Sequence, residues 1–118
     1  MSKKILVVDD DVMLLDLLRI FLTEKGYEVV TAQDGIDAFE KLKTVTPDLI
    51  ILDVMMPKMD GYSFVRELKK EPGFRSTPVI VLTAREMTRD LFVQEGIKYF
   101  VIKPYDPEEL HSIVLKCL

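Results

Sequence analysis

Four short, uninterrupted apolar runs mark the chain: Ile5–Val8, Leu49–Leu52, Val79–Leu82 and Phe100–Ile102. Runs of this length bounded by polar residues predict strands covered on both faces. A weaker strand is expected over Tyr27–Thr31, after Gly26, because a glycine in that position stops a preceding helix. Between the runs, apolar residues recur at helical spacing. Leu14, Leu17, Leu18, Phe21 and Leu22 share one predicted face with Asp16, Arg19 and Thr23 opposite, and Leu110, Ile113, Val114, Cys117 and Leu118 repeat the pattern at the end. Asp106 is placed to cap that last helix, with Pro107 as its first residue. A fourth helix is expected roughly over 86–95, and Glu71–Pro78 reads as a loop.

Strand and helix thus alternate along the whole chain, which predicts an α/β fold: a five-stranded parallel sheet with helices on both faces, in the flavodoxin-like strand order 2-1-3-4-5. With 118 residues, no linker and no repeat, the expectation is one domain over residues 1–118. Composition adds exclusions. No apolar run approaches the roughly 20 residues of a membrane span. The basic start Met1-Ser2-Lys3-Lys4 is followed by only four apolar residues before Asp9-Asp10-Asp11, so it is not a signal peptide. A cytoplasmic protein without a membrane partner is expected, and a net charge of −4 argues against nucleic acid as a ligand. The single Cys117 has no disulfide partner and no zinc spacing around it; it reads as a small hydrophobe on the last helix. His111 reads as a solvent-facing helix residue that nothing pairs with.

In an open parallel sheet, ligands bind beyond the carboxyl ends of the strands. The first run ends in Asp9-Asp10, the third in Asp53, the fourth in Thr83 and the fifth in Lys103-Pro104. Carboxylates brought together from neighbouring strands repel one another unless a cation shares them. A donor set of hard oxygens without nitrogen or sulfur suits Mg²⁺, with Mn²⁺ as an alternative. Lys103 supplies a second positive charge and Thr83 a hydroxyl. A carboxylate nucleophile, a metal, a lysine and a hydroxyl are the parts phosphoryl transfer requires, because that chemistry consists mostly of positioning and charge neutralisation.

These residues resemble the receiver domains of two-component response regulators. The resemblance covers the whole chain and rests on Ile5-Leu6-Val7-Val8-Asp9-Asp10, on the stretch from Asp48 through Asp53, Met55 and Pro57 to Asp60-Gly61, on Val81-Leu82-Thr83-Ala84, and on Lys103-Pro104-Tyr105. It implies that Asp53 is the phosphoacceptor, that Asp9, Asp10, Asp53 and the backbone carbonyl of Met55 hold the metal, and that Thr83 and Lys103 read the phosphoryl group. Phe100 falls where the family has a switching aromatic; the other reading is a permanently buried core aromatic. Pro57, Gly61 and Pro104 shape the loops, with a cis bond expected before Pro104. Met55 and Arg85 flank the path of an attacking water.

The resemblance further implies a sensor histidine kinase as donor and a switch on the surface of the fourth helix, fifth strand and fifth helix. The output is then a downstream protein target, or an output domain if the chain is a fragment. It implies a monomer or a weak phosphorylation-dependent dimer, and a protein that catalyses its own phosphorylation and slow dephosphorylation without being a classical enzyme. Two departures from the family pattern stand out. The Thr83–Lys103 segment is two residues shorter than usual, and the acidic pair common before the switch aromatic is missing from Gly96–Phe100, which puts the family's dimer contacts in doubt. The alternative reading is a receiver-like interaction module that works without phosphorylation. A flavoprotein is disfavoured by aspartates where a flavin phosphate would sit. An aspartate-nucleophile phosphatase is disfavoured by Met55, which stands where its second aspartate would be.

Overall fold

The structure, a computed structural model, describes residues 2–53, 61–83 and 89–118, without the side chains of residues 89–91. Its elements are β1 (Lys4–Val8), α1 (Val12–Glu24), β2 (Glu28–Ala32), α2 (Gly35–Leu42), β3 (Leu49–Asp53), α3 (Gly61–Lys70), a 3₁₀ turn (Pro72–Phe74), β4 (Val79–Thr83), α4 (Arg89–Gln94), β5 (Tyr99–Ile102) and α5 (Pro107–Cys117). The sheet has the expected order β2-β1-β3-β4-β5, and every pairing is parallel.

The uninterrupted apolar runs are explained by a core divided by the sheet. Successive side chains of a strand point to opposite faces, so each run must be apolar at every position. Leu6, Val8, Ile50, Leu52 and Val81 pack under Ala38 and Leu42 of α2, Phe64, Val65 and Leu68 of α3, and Phe92 of α4. Ile5, Val7, Leu49, Ile51, Ile80, Leu82 and Val101 pack on Leu15, Leu18 and Leu22 of α1 and on Leu110 and Val114 of α5.

Helix ends follow local chemistry. Asp11 caps α1 by accepting from the amides of Met13 (3.0 Å) and Leu14 (3.3 Å), Asp34 caps α2 through the Asp37 amide (2.8 Å), and Asp106 caps α5 through the Glu108 amide (2.9 Å). Gly26 closes α1 at φ +96°. Its amide donates to the Thr23 carbonyl and the Tyr27 amide to that of Leu22, the paired bonds that satisfy the last carbonyls of a helix.

Three expectations need correction. Leu17 is 61% exposed, and Leu15 occupies the buried face instead. Helix α1 is apolar over most of its circumference, so periodicity alone admits more than one face, and contact with the sheet selects Leu15, Leu18 and Leu22. His111 is neither solvent-facing nor alone: its Nε2 lies 3.2 Å from the Tyr27 hydroxyl, and its ring meets Phe21 and Tyr27 edge-on. Leu118, expected on the packed face of α5, is 37% exposed. The edge strand runs over Glu28–Ala32, one residue later than expected, and α4 is described over Arg89–Gln94.

Candidate functional site

Strand register assembles the site. Val8 is level with Leu52 across the β1–β3 pair, so Asp9 and Asp53 emerge side by side. Asp53 is level with Leu82, and Thr83 with Ile102, which brings Thr83 and then Lys103 to the same edge. The Lys103 amide donates to the Thr83 carbonyl at 2.8 Å, tying the end of β5 to that of β4, and the Lys103–Pro104 peptide bond is cis.

Asp9 is the most buried of the described acidic groups, at 1% exposure. Its amide donates to the Ala32 carbonyl (3.1 Å) and its Oδ1 accepts from the Asp11 amide (3.0 Å). Its Oδ2 is buried and has no hydrogen-bond partner among the described residues. Burial pushes the Asp9 carboxyl up to about 6 from an ordinary 3.8; the charges of Asp53 and Asp10 push the same way, while the Asp11 amide and Lys103 oppose them. A buried carboxylate oxygen left without a partner is costly, and a cation would relieve that cost.

The cation would be shared. Asp9, Asp10 and Asp53 each offer a carboxylate oxygen, all within 4.8 Å of one another. Asp53 is buried and Asp10 exposed, so the cluster opens to solvent on one side. The donor set fits a hard divalent ion that keeps several waters, as Mg²⁺ does. Asp53 is also ion-paired: Lys103 Nζ donates to Asp53 Oδ1 at 2.9 Å.

The other sequence-predicted residues distribute as follows. Thr83 is buried at the end of β4. Phe100, on β5, is half-buried against the α2–α3–α4 side of the core, edge-on to Phe92 at a centroid distance of 6.4 Å. Gly61 is the first residue of α3. Met55, Pro57 and Arg85 lie outside the described residues. Asp11, third in the aspartate run, is a helix cap rather than a member of the acidic cluster.

One residue at the site was given no role by sequence reasoning. The Tyr105 phenol is pushed up to about 12, chiefly by burial and then by the negative charges of Asp9 and Asp53, so it stays protonated beside the carboxylates. Tyr105, Pro104 and Lys103 also line one end of an apolar groove of about 560 Å³, walled by Leu14, Leu17 and Phe21 of α1. The Lys-Pro-Tyr sequence located this residue, but nothing in it indicated the groove.

The sequence model of the family described as response regulator receiver domain matches residues 5–115. The alkaline phosphatase synthesis transcriptional regulatory protein PhoP of Bacillus subtilis is 40% identical over 116 residues, covering 97% of this chain and 48% of that protein. The chain therefore spans about half the length of the curated relatives it matches. Among solved structures, the chemotaxis response regulator CheY4 of Vibrio cholerae superposes with a TM-score of 0.94 at 32% identity, covering all of both chains. The response regulator TrrA of Thermotoga maritima, solved in complex with Mg²⁺–BeF, gives a TM-score of 0.88 at 35% identity, covering 99% of this chain and 100% of that one. Sequence, fold and the acidic edge of the sheet agree, and the chain belongs to the response regulator receiver domain family, the phosphoacceptor modules of two-component signalling.

Proposed function

We propose that the chain forms one receiver domain over residues 1–118, in which Asp53 takes a phosphoryl group from the phosphohistidine of a sensor histidine kinase. The observation that carries this reading is the convergence of Asp9, Asp10 and Asp53 at one edge, with Lys103 bonded to Asp53. An Asp53 carboxylate oxygen attacks phosphorus, the P–N bond to the donor imidazole breaks, and the imidazole leaves with the bond's electron pair. Mg²⁺, or Mn²⁺, held by Asp9, Asp10, Asp53 and the Met55 carbonyl would neutralise charge on the transferred group, as the Mg²⁺–BeF complex of TrrA supports by analogy.

The remaining steps belong to the chain's own side chains. Lys103 exchanges its bond to Asp53 Oδ1 for one to a phosphoryl oxygen, where two negative charges replace one. Thr83 turns its hydroxyl to the same group, and Phe100 follows into the space released. A local charge change thereby biases the surface of α4, β5 and α5 toward a downstream protein or output domain, as a monomer or a weak phosphorylation-dependent dimer. Met55 and Arg85 flank the acyl phosphate and slow its hydrolysis. The groove walled by Leu14, Leu17 and Phe21 adjoins Lys103, which makes α1 the apolar surface against which a protein donor can rest.

Incubation with Mg²⁺ and acetyl phosphate tests the assignment by intact mass. Wild type is expected to gain one phosphoryl group and Asp53→Ala none. An unmodified wild type, or equal gain by the variant, overturns it.

A further inference from the structure

The opposite end of the sheet carries the opposite charge. There the turn before β4, the start of β5 and the end of α5 enclose a cleft of about 440 Å³. Arg75, Lys98 and Lys116 line it, and none of the three has an ion-pair partner among the described residues. By contrast, in this chain of net charge −4, Lys25, Lys43, Arg66 and Lys70 each sit beside a glutamate. A fourth cation is fixed in the lining: Lys69 Nζ donates to the carbonyls of Phe74, Arg75 and Thr77 at 3.4, 3.2 and 2.8 Å, with no carboxylate paired to it among the described residues. Ser76 and Thr77 add hydroxyl groups, and Pro78 with the half-buried Tyr99 adds an apolar wall.

We propose that this cleft binds a small molecule carrying a multiply charged phosphate group. Arg75, Lys98 and Lys116 take the phosphate oxygens through charge-assisted bonds, the hydroxyls of Ser76 and Thr77 complete the set, and the uncharged part of the ligand lies on Pro78 and Tyr99. The cleft lies one strand-length from the acidic edge, about 13 Å along β4, and the two sites share no residue. Its concave shape suits a compact ligand rather than a polymer, and its charge excludes the Mg²⁺ that the other edge attracts.

Amide spectra of the full chain, recorded in EDTA so that the acidic edge holds no metal, test the proposal with pyrophosphate and ATP as probes. Saturable shifts are expected at the amides of Arg75, Ser76, Thr77, Lys98 and Tyr99, with those of Asp9, Asp53 and Thr83 unmoved. Joint replacement Lys98→Gln and Lys116→Gln should weaken binding about tenfold while leaving the melting temperature unchanged, since both side chains are exposed. The proposal is overturned by shifts that never saturate, by equal affinity in the double variant, or by citrate binding as tightly as pyrophosphate. An oligonucleotide binding equally well, with shifts spreading to Lys3 and Lys4, would also overturn it by revealing a non-specific basic face.

Discussion

Replacing Asp9 by Asn should stabilise the metal-free protein while removing its response to metal. Asp9 is 1% exposed, with one oxygen unpartnered among the described residues, and its carboxyl is raised from 3.8 to about 6. Each pKa unit corresponds to about 1.4 kcal/mol, so holding Asp9 ionised in the folded chain costs on the order of 3 kcal/mol at neutral pH, as an upper bound. The sign follows from linkage. A carboxyl whose folded pKa is raised favours folding fully below the unfolded value of 3.8, and that contribution is lost as pH rises through about 6. Asn carries no charge, keeps an acceptor for the Asp11 amide and turns a donor toward Asp53. Metal-free Asp9→Asn is therefore expected to exceed wild type by about 1–3 kcal/mol at about pH 7, a rise in Tm of roughly 3–10 °C for a domain of this size. The advantage should fade toward about pH 4, where wild-type Asp9 is itself protonated. Thermal melts at both pH values, with and without Mg²⁺, measure this directly. Wild type should gain stability with Mg²⁺ concentration by mass action, and the variant little. A variant no more stable than wild type at neutral pH, an advantage unchanged at low pH, or an undiminished Mg²⁺ response would each refute the reasoning.

Other consequences follow from the packing. Ile51→Ala, at a fully buried position on β3 between β1 and β4, should cost about 2–5 kcal/mol by denaturant titration. Gly26→Ala, at φ +96°, should cost about 1–2 kcal/mol through backbone strain alone, because nothing lies within 4 Å of the added methyl group; circular-dichroism melts would detect it. Leu17→Ser, at 61% exposure, should shift stability by no more than about 0.5 kcal/mol and leave phosphorylation by acetyl phosphate intact. It should slow transfer from a protein kinase, as phosphotransfer assays with the two donors would show.

The Leu17 and Leu15 positions show where sequence legibility ended. In the strands, alternation of side chains between two covered faces demands apolar residues throughout, so Leu49–Leu52 and Val79–Leu82 could be read without knowing their neighbours. In α1 the apolar residues nearly encircle the helix, and only docking on Val7, Ile51 and Leu82 determines which of them is buried. His111 illustrates the same limit at longer range, because its partner Tyr27 lies 84 positions away and no local pattern links them.

The sequence by itself determined the strand and helix order, the turn and cap chemistry at Gly26 and Asp106, and the set of polar residues ending the strands, since each depends on local sterics or on a two-residue or helical period. Tertiary structure decided what those residues do to one another. Parallel register puts Asp9 beside Asp53, burial leaves Asp9 Oδ2 without a partner among the described residues, and Lys103 reaches across 50 positions to Asp53. The same folding collects Arg75, Lys98 and Lys116, unremarkable in the sequence, around one cleft. Charge interactions depend on distance and solvent exposure, and for residues far apart in the chain only the folded structure specifies either.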